Sequence, residues 1–204
     1  MAKKKLDQTT EEKILAAARK VFIRDGMAGA RMQDIADEAG MNKALLHYYF
    51  RNKEKLFETI FKEATIDFLP RMNAIFESDI PLFEKIEIFC REYIAQISKN
   101  PFIPLFLLSE MNKKPERFLN KMWGGQKIEV SKFAEQIQRE VKKGTIKPIH
   151  PLHLIMNLFG MCVFPFIGKT MIHFMTGISQ AQFDEMMEQR KSIIPAFIID
   201  AIKK

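Results

Sequence analysis

Apolar residues recur at spacings of three and four along most of the chain. Ile14, Ala18, Val21 and Phe22 form one stripe, and Met32, Ile35, Ala36 and Ala39 a second. Leu56, Phe57, Ile60, Phe61, Ala64 and Phe68 form a longer one. This is the period of helices with one buried face, and it predicts an all-α chain of about nine helices. Thr9 to Glu12 has capping-box spacing and predicts the start of the first helix. Gly26 predicts its end. A fourth helix starts at the cap Asn52, with Pro70 bending it or marking its last turns. A fifth covers Pro81–Lys99, with Asp79 a candidate cap. The sixth covers Pro104–Met111. The seventh starts near Pro115, is interrupted at Trp123-Gly124-Gly125 and resumes to Gly144. The eighth runs from Pro151 to about Gly168. The ninth runs from Ser179, itself of capping-box spacing with Gln182, to Ile202.

The stretch Arg31–Phe50 carries the most chemistry. It reads as two short helices joined by a turn at Gly40, where a Cβ would be resisted. Asn42 is a good cap for the second of them. Leu46 and Phe50 face inward; Lys43, Ala44 and His47 lie opposite. Small Ala44 lets a helix sit deep in a groove, Lys43 reaches a guanine edge, and Leu45 reaches a thymine methyl. His47, Tyr48 and Tyr49 are phosphate donors, which fix register without reading sequence. Lys53, at the positive end of the fourth helix, is a candidate anion contact. Two short helices with such an outer face can place one in the major groove of DNA.

The segment Ala39-Gly-Met-Asn-Lys-Ala-Leu-Leu-His-Tyr-Tyr-Phe-Arg-Asn-Lys-Glu54 resembles the DNA-binding domain of the TetR family of transcriptional regulators. Ile35-Ala36, Gly40, Met41, Leu46, Tyr49, Phe50 and Lys53-Glu54 match the family pattern, over about a quarter of the chain. Asn42 stands in place of the usual Ser, and His47 in place of Tyr. Ala30-Arg31 stands where a hydroxyl pair usually caps the second helix; Arg31 either replaces a phosphate contact or is a solvated charge. With Gln33, the predicted DNA-facing set is Arg31, Gln33, Lys43, Ala44, Leu45, His47, Tyr48, Tyr49 and Lys53. The resemblance implies a helix-turn-helix domain over residues 1–55 and a helical effector-binding and dimerisation domain over 56–204. It further implies a homodimer that binds a near-palindromic double-stranded DNA operator as a repressor and releases it on binding an effector. The fourth helix is the natural lever between the two domains.

Composition changes this picture only in part. The net charge is +7, and the first 55 residues hold twelve Lys and Arg against eight Asp and Glu. The basic excess is therefore concentrated where DNA binding is predicted, although a basic balance also fits membrane surfaces. The Lys3-Lys4-Lys5 run reads as a mobile tail. Cys90 and Cys162 have no paired spacing and read as reduced, buried thiols. No signal peptide is visible, which predicts a cytoplasmic protein. Leu154–Gly168 is strongly apolar but shorter than the roughly 20 residues that a span needs. It reads as a buried interface helix, with no membrane association.

Two apolar faces predict the dimer contact. Leu158, Cys162 and Phe166 lie on the eighth helix, and Phe183, Met187, Ile194, Phe197 and Ile198 on the ninth. The alternative is that both faces pack inside the monomer. The chain also holds 18 Phe and 13 Met. Large, adaptable side chains suit a pocket for a small apolar effector. Its candidate lining is Phe68, Met72, Phe89, Tyr93, Phe106, Met111, Trp123, Gln126, Met156 and Phe159. Each of these is also an ordinary core residue type. His150 and His153 have metal-ligand spacing, but no third ligand stands at a recognisable distance. There is no Gly-rich phosphate loop, nucleophile elbow or buried carboxylate pair, so no catalytic residue, metal or cofactor is predicted. A helical partner- or lipid-binding protein without DNA sequence preference is the alternative function.

Overall fold

The computed structural model describes residues 2–112 and 115–204, without the side chains of 2–8, 110, 115 and 117. The Lys3–Lys5 side chains therefore lie outside the described residues. Twelve helices and no strand are present among them: α1 (Ala2–Gly29), α2 (Met32–Glu38), α3 (Lys43–Tyr49), α4 (Lys53–Thr65), α5 (Phe68–Glu77) and α6 (Leu82–Lys99), then α7 (Ile103–Met111), α8 (Pro115–Trp123), α9 (Ser131–Lys143), α10 (Pro151–Ile167), α11 (Lys169–Thr176) and α12 (Gln180–Ile202). The chain is all-helical, as its periodicity predicts.

The element boundaries correct several expectations. The first helix begins upstream of Thr9, and its helical geometry breaks at Gly26 (φ 67°), as predicted. The expected long fourth helix is two helices, because Ile66 and Asp67 leave the ladder and Pro70 falls in the first turn of α5. That is where proline is tolerated, since its N–H has no partner there. Asp79 does not cap α6; Pro81 holds that position without a side-chain bond. The interrupted seventh helix is likewise two, α8 and α9, and α11 was not expected at all. Ser179 and Gln182 do form a reciprocal capping box on α12.

The chain divides into two compact units. One is residues 1–66 with 106–125; the other is 67–105 with 126–204. The sequence placed the division at Lys55, but the aromatic residues of α4 pack within the first unit. Phe57 lies 4.0 Å from Phe106 between ring centroids, and Phe61 lies 5.5 Å from Phe118 and 5.9 Å from Trp123. Trp123 Nε1 donates to Thr65 Oγ1 at 3.1 Å, and Lys121 donates to Glu58, which Lys55 also approaches at 3.2 Å. Burial alone would raise the Glu58 carboxyl above its ordinary value. The bonds from Lys121 and Lys55 outweigh that and hold it low.

In the second unit α6 is the hub, packing against α5, α9, α10 and α12. Its buried Lys85 donates to the carbonyls of Phe76 and Ser78 at 3.1 and 2.6 Å, so the ammonium satisfies acceptors at the end of α5. Lys147 N donates to Ile202 O at 2.7 Å and ties the end of α12 to the loop after α9. Pro165 lies inside α10 and has no N–H for the carbonyl of Met161, four residues earlier. Arg190 of α12 supplies the missing donor, with Nη2 2.7 Å from that carbonyl. Among the described residues no single helix is long and apolar enough to cross a membrane, and α10 and α11 together are bent by 68°.

The predicted interface face proves to be mostly interior. Leu158, Cys162, Phe166, Phe183, Met187, Ile194 and Ile198 are all buried within the one chain. Their helices carry two apolar faces, and the named one packs on α6 and on each other. Of that set only Phe197 is exposed, at 63 %. The apolar surface left open is Leu152, Met156 and Phe164 on α10, Met171, Phe174 and Met175 on α11, and Met186, Ile193 and Phe197 on α12. The last three fall at i, i+7 and i+11, a single stripe.

Two outcomes follow from these contacts. Arg190→Met should cost about 1–3 kcal/mol in denaturant unfolding, by orphaning a buried carbonyl. In a Pro165→Ala background, where the backbone donor is restored, the same change should cost measurably less. Glu58 is depressed in the folded state, so its contribution is complete above the ordinary carboxylate range and is lost as pH falls through the folded value. Acid titration followed by fluorescence of the single tryptophan should show that loss, and Glu58→Gln should remove it.

Candidate nucleic-acid interface

The site is built on α3. Asn42 Oδ1 accepts from the backbone N–H of Leu45 at 2.7 Å and so caps the helix. Gly40 (φ 65°) makes the turn that precedes it. Leu46 is fully buried and Phe50 nearly so, which pins the inner face. At the far end Asn52 accepts from Lys55 N at 2.8 Å and caps α4, three residues beyond the end of α3. The seven residues of α3 are thereby held as a short rod.

The outer face of that rod is open. Lys43, Ala44, Leu45, His47 and Tyr48 are exposed, Tyr48 at 82 %, and Tyr49 is half-buried with its ring 5.4 Å from that of Tyr48. His47 Nδ1 lies 3.2 Å from the Arg51 carbonyl, which can only accept. A proton on Nδ1 leaves Nε2 outward. In the neutral ring Nε2 is an acceptor, and only the imidazolium donates from it to a phosphate. Arg31 occupies the N-cap of α2 with no capping bond from its side chain and is exposed. Gln33 is exposed, but its amide donates to Asp37 at 2.8 Å. Lys53 departs from the expected phosphate contact: its ammonium donates to Ala30 O at 3.0 Å and Ala28 O at 3.5 Å.

The ten predicted effector residues are divided between the two compact units. Phe68, Phe89, Tyr93 and Phe159 form one cluster in the second unit, with ring centroids 4.9–5.6 Å apart. Phe76 joins it at 5.1 Å from Phe89, a member that the sequence reading missed although it lies on the α5 stripe. Met72 is fully buried in the same core. Burial pushes the Tyr93 phenol well above its usual range, so it stays neutral. Phe106, Met111 and Trp123 belong instead to the first unit. Gln126 and Met156 are exposed. Cys90 and Cys162 are buried and unbridged; a hydrogen bond between them raises the Cys90 thiol. His150 serves as the N-cap of α10, its Nδ1 accepting from Leu152 N at 3.3 Å, which gives it a structural role.

Residues 14–60 match the family described as bacterial regulatory proteins, tetR family. That span covers about the last three turns of α1 before Gly26, all of α2 and α3, and the first eight of the thirteen residues of α4. The transcriptional regulator RutR of Escherichia coli K12 is 29% identical over 150 residues, 72% of this chain and 68% of RutR. The segment 14–60 thus carries the pattern of the tetR family. The fold of the chain is that of TetR-family regulators throughout. A variant of HlyIIR with residues 169–186 replaced by a GSSGSSG linker superposes with a TM-score of 0.64, covering 97% of each chain at 24% identity. FadR of Bacillus subtilis, solved with stearoyl-CoA, superposes at 0.55, covering 91% of this chain and 97% of FadR at 17% identity. The chain is thus similar to helix-turn-helix transcriptional regulators, and α2 and α3 lie within the matched segment.

The cap on α3 is directly testable. Asn42→Ala should cost about 1 kcal/mol of stability and weaken DNA binding, read by thermal melting and by fluorescence anisotropy on the same preparation. Asn42→Asp, which keeps the acceptor, should retain the stability.

Proposed function

We propose that this regulator is a ligand-released repressor that binds a near-palindromic operator as a homodimer. The observation that carries the DNA-binding half is the rod of α3, with Leu46 buried and Lys43, Ala44, Leu45, His47 and Tyr48 exposed on the other side. Lys43 and Leu45 read base edges; His47, Tyr48, Tyr49 and Arg31 hold phosphates and set register. Gln33, tied to Asp37, plays the lesser part.

The dimer is supported by the exposed stripe Met186, Ile193 and Phe197 on α12 and by Leu152, Met156 and Phe164 on α10. Apolar patches of that kind mark association surfaces. A two-fold axis through them presents two recognition helices to half-sites about one helical turn apart. Repression is the simpler outcome, because occupying a promoter needs no further contact. The effector is a small, mainly apolar molecule. The cluster of Phe68, Phe89, Tyr93 and Phe159 supports this, as does the stearoyl-CoA bound by FadR. The effector shifts the population between two spacings of the DNA-binding heads, by no more than its differential affinity for them. The protein works in the cytoplasm, as a binding protein and not an enzyme.

Binding titrations against a pool of randomised duplexes test the core of this reading. A selected near-palindrome is the expected result, and retention of all sequences alike at moderate salt overturns it. Lys43→Gln should change which sequences win, whereas Tyr49→Ala should weaken binding to all of them equally. Phe197→Glu should convert the dimer to monomers in sedimentation velocity; an unchanged dimer would place the contact elsewhere.

A further inference from the structure

Lys53 is the first residue of α4 and carries a positive charge at the end of a helix where the dipole disfavours it. Its contacts account for that placement. Two of its three N–H donors are used on the carbonyls of Ala30, at 3.0 Å, and Ala28, at 3.5 Å. Both carbonyls lie where α1 ends, the kind of terminus at which a cation is favoured. Ala30 is itself buried, and the next residue, Arg31, is the N-cap of α2, with no side-chain bond of its own to hold it. The lysine thus joins two corners of the domain that are 23 residues apart, the α1–α2 corner and the α3–α4 corner.

We propose that Lys53 is a positioning residue for DNA binding, acting through the α1–α2 corner and Arg31 and not as a phosphate contact. The proposal rests on the reading of this unit as the DNA-binding one. A charge used internally releases no counterion from DNA, whereas each phosphate contact contributes about 0.9 to the salt slope. The two roles therefore separate in a measurement that affinity alone would blur.

The full chain is measured on its selected operator across a salt series, as wild type and as Lys53→Gln. Expected are a roughly tenfold weaker complex, an unchanged salt slope and a lower melting temperature. A slope shallower by about 0.9 with an unchanged melting temperature, or an unchanged affinity, overturns the proposal. Acetylation footprinting of the wild type gives a readout that does not depend on the variant folding. Lys53 should react slowly with an N-hydroxysuccinimide acetate in the free protein and no differently on DNA, while Lys43 becomes protected. Protection of Lys53 only on DNA overturns the proposal. A wild type without sequence preference refutes the DNA-binding reading instead, and is told apart by the first titration.

Discussion

A seven-residue helix is not stable by itself; isolated helices shorter than about 12–15 residues are marginal in water. α3 is such a helix, and a single one of its side chains, Leu46, is buried. What keeps it formed is the pair of asparagine caps at Asn42 and Asn52 together with the burial of Leu46 and the adjoining Phe50. This constraint governs the rest of the DNA-binding unit. The main anchors are on the inner side and at the ends, and of the outer side chains His47 bonds to the Arg51 carbonyl and Tyr48 lies against Tyr49. Lys43 and Ala44 are exposed on that side.

The next layer outward supports α3 through its neighbours. α2 turns into α3 at Gly40, and α3 passes into α4 after three residues, so the helices are closely tied. α4 is in turn fixed to α8 by an aromatic cluster and by the Glu58–Lys121 and Thr65–Trp123 pairs. The segment from Phe106 to Gly125 is distant in sequence yet part of the same compact unit. α4 stops at Thr65, inside that unit, and α5 starts at Phe68 in the other.

The amino-acid pattern made some of this legible and hid the rest for physical reasons. Capping residues and the 3.6-residue period act locally, so α2, α3 and α12 were placed almost to the residue. The α4–α5 break was hidden because Phe61, Ala64 and Phe68 keep helical spacing across it, and spacing says nothing of exposed Ile66 and Asp67 between them. The bond from Lys53 to the Ala30 carbonyl was hidden because its partner is 23 residues away, beyond any local pattern. The buried side of α10 and α12 was not told from the exposed side because both helices are apolar on more than one side. Period alone reports that a face is apolar, not what covers it. Phe106 and Trp123 were grouped with Phe89 by residue type, whereas they belong to different compact units.

The bond from Arg190 to the carbonyl of Met161 has a consequence for assembly. A proline normally loosens a helix, yet here the gap it opens is a socket that only one position on the neighbouring helix can fill. Sliding α12 along α10 by one residue would empty it. The two helices are thus locked in phase, and the outer stripe running through Phe197 is held in one register relative to α10.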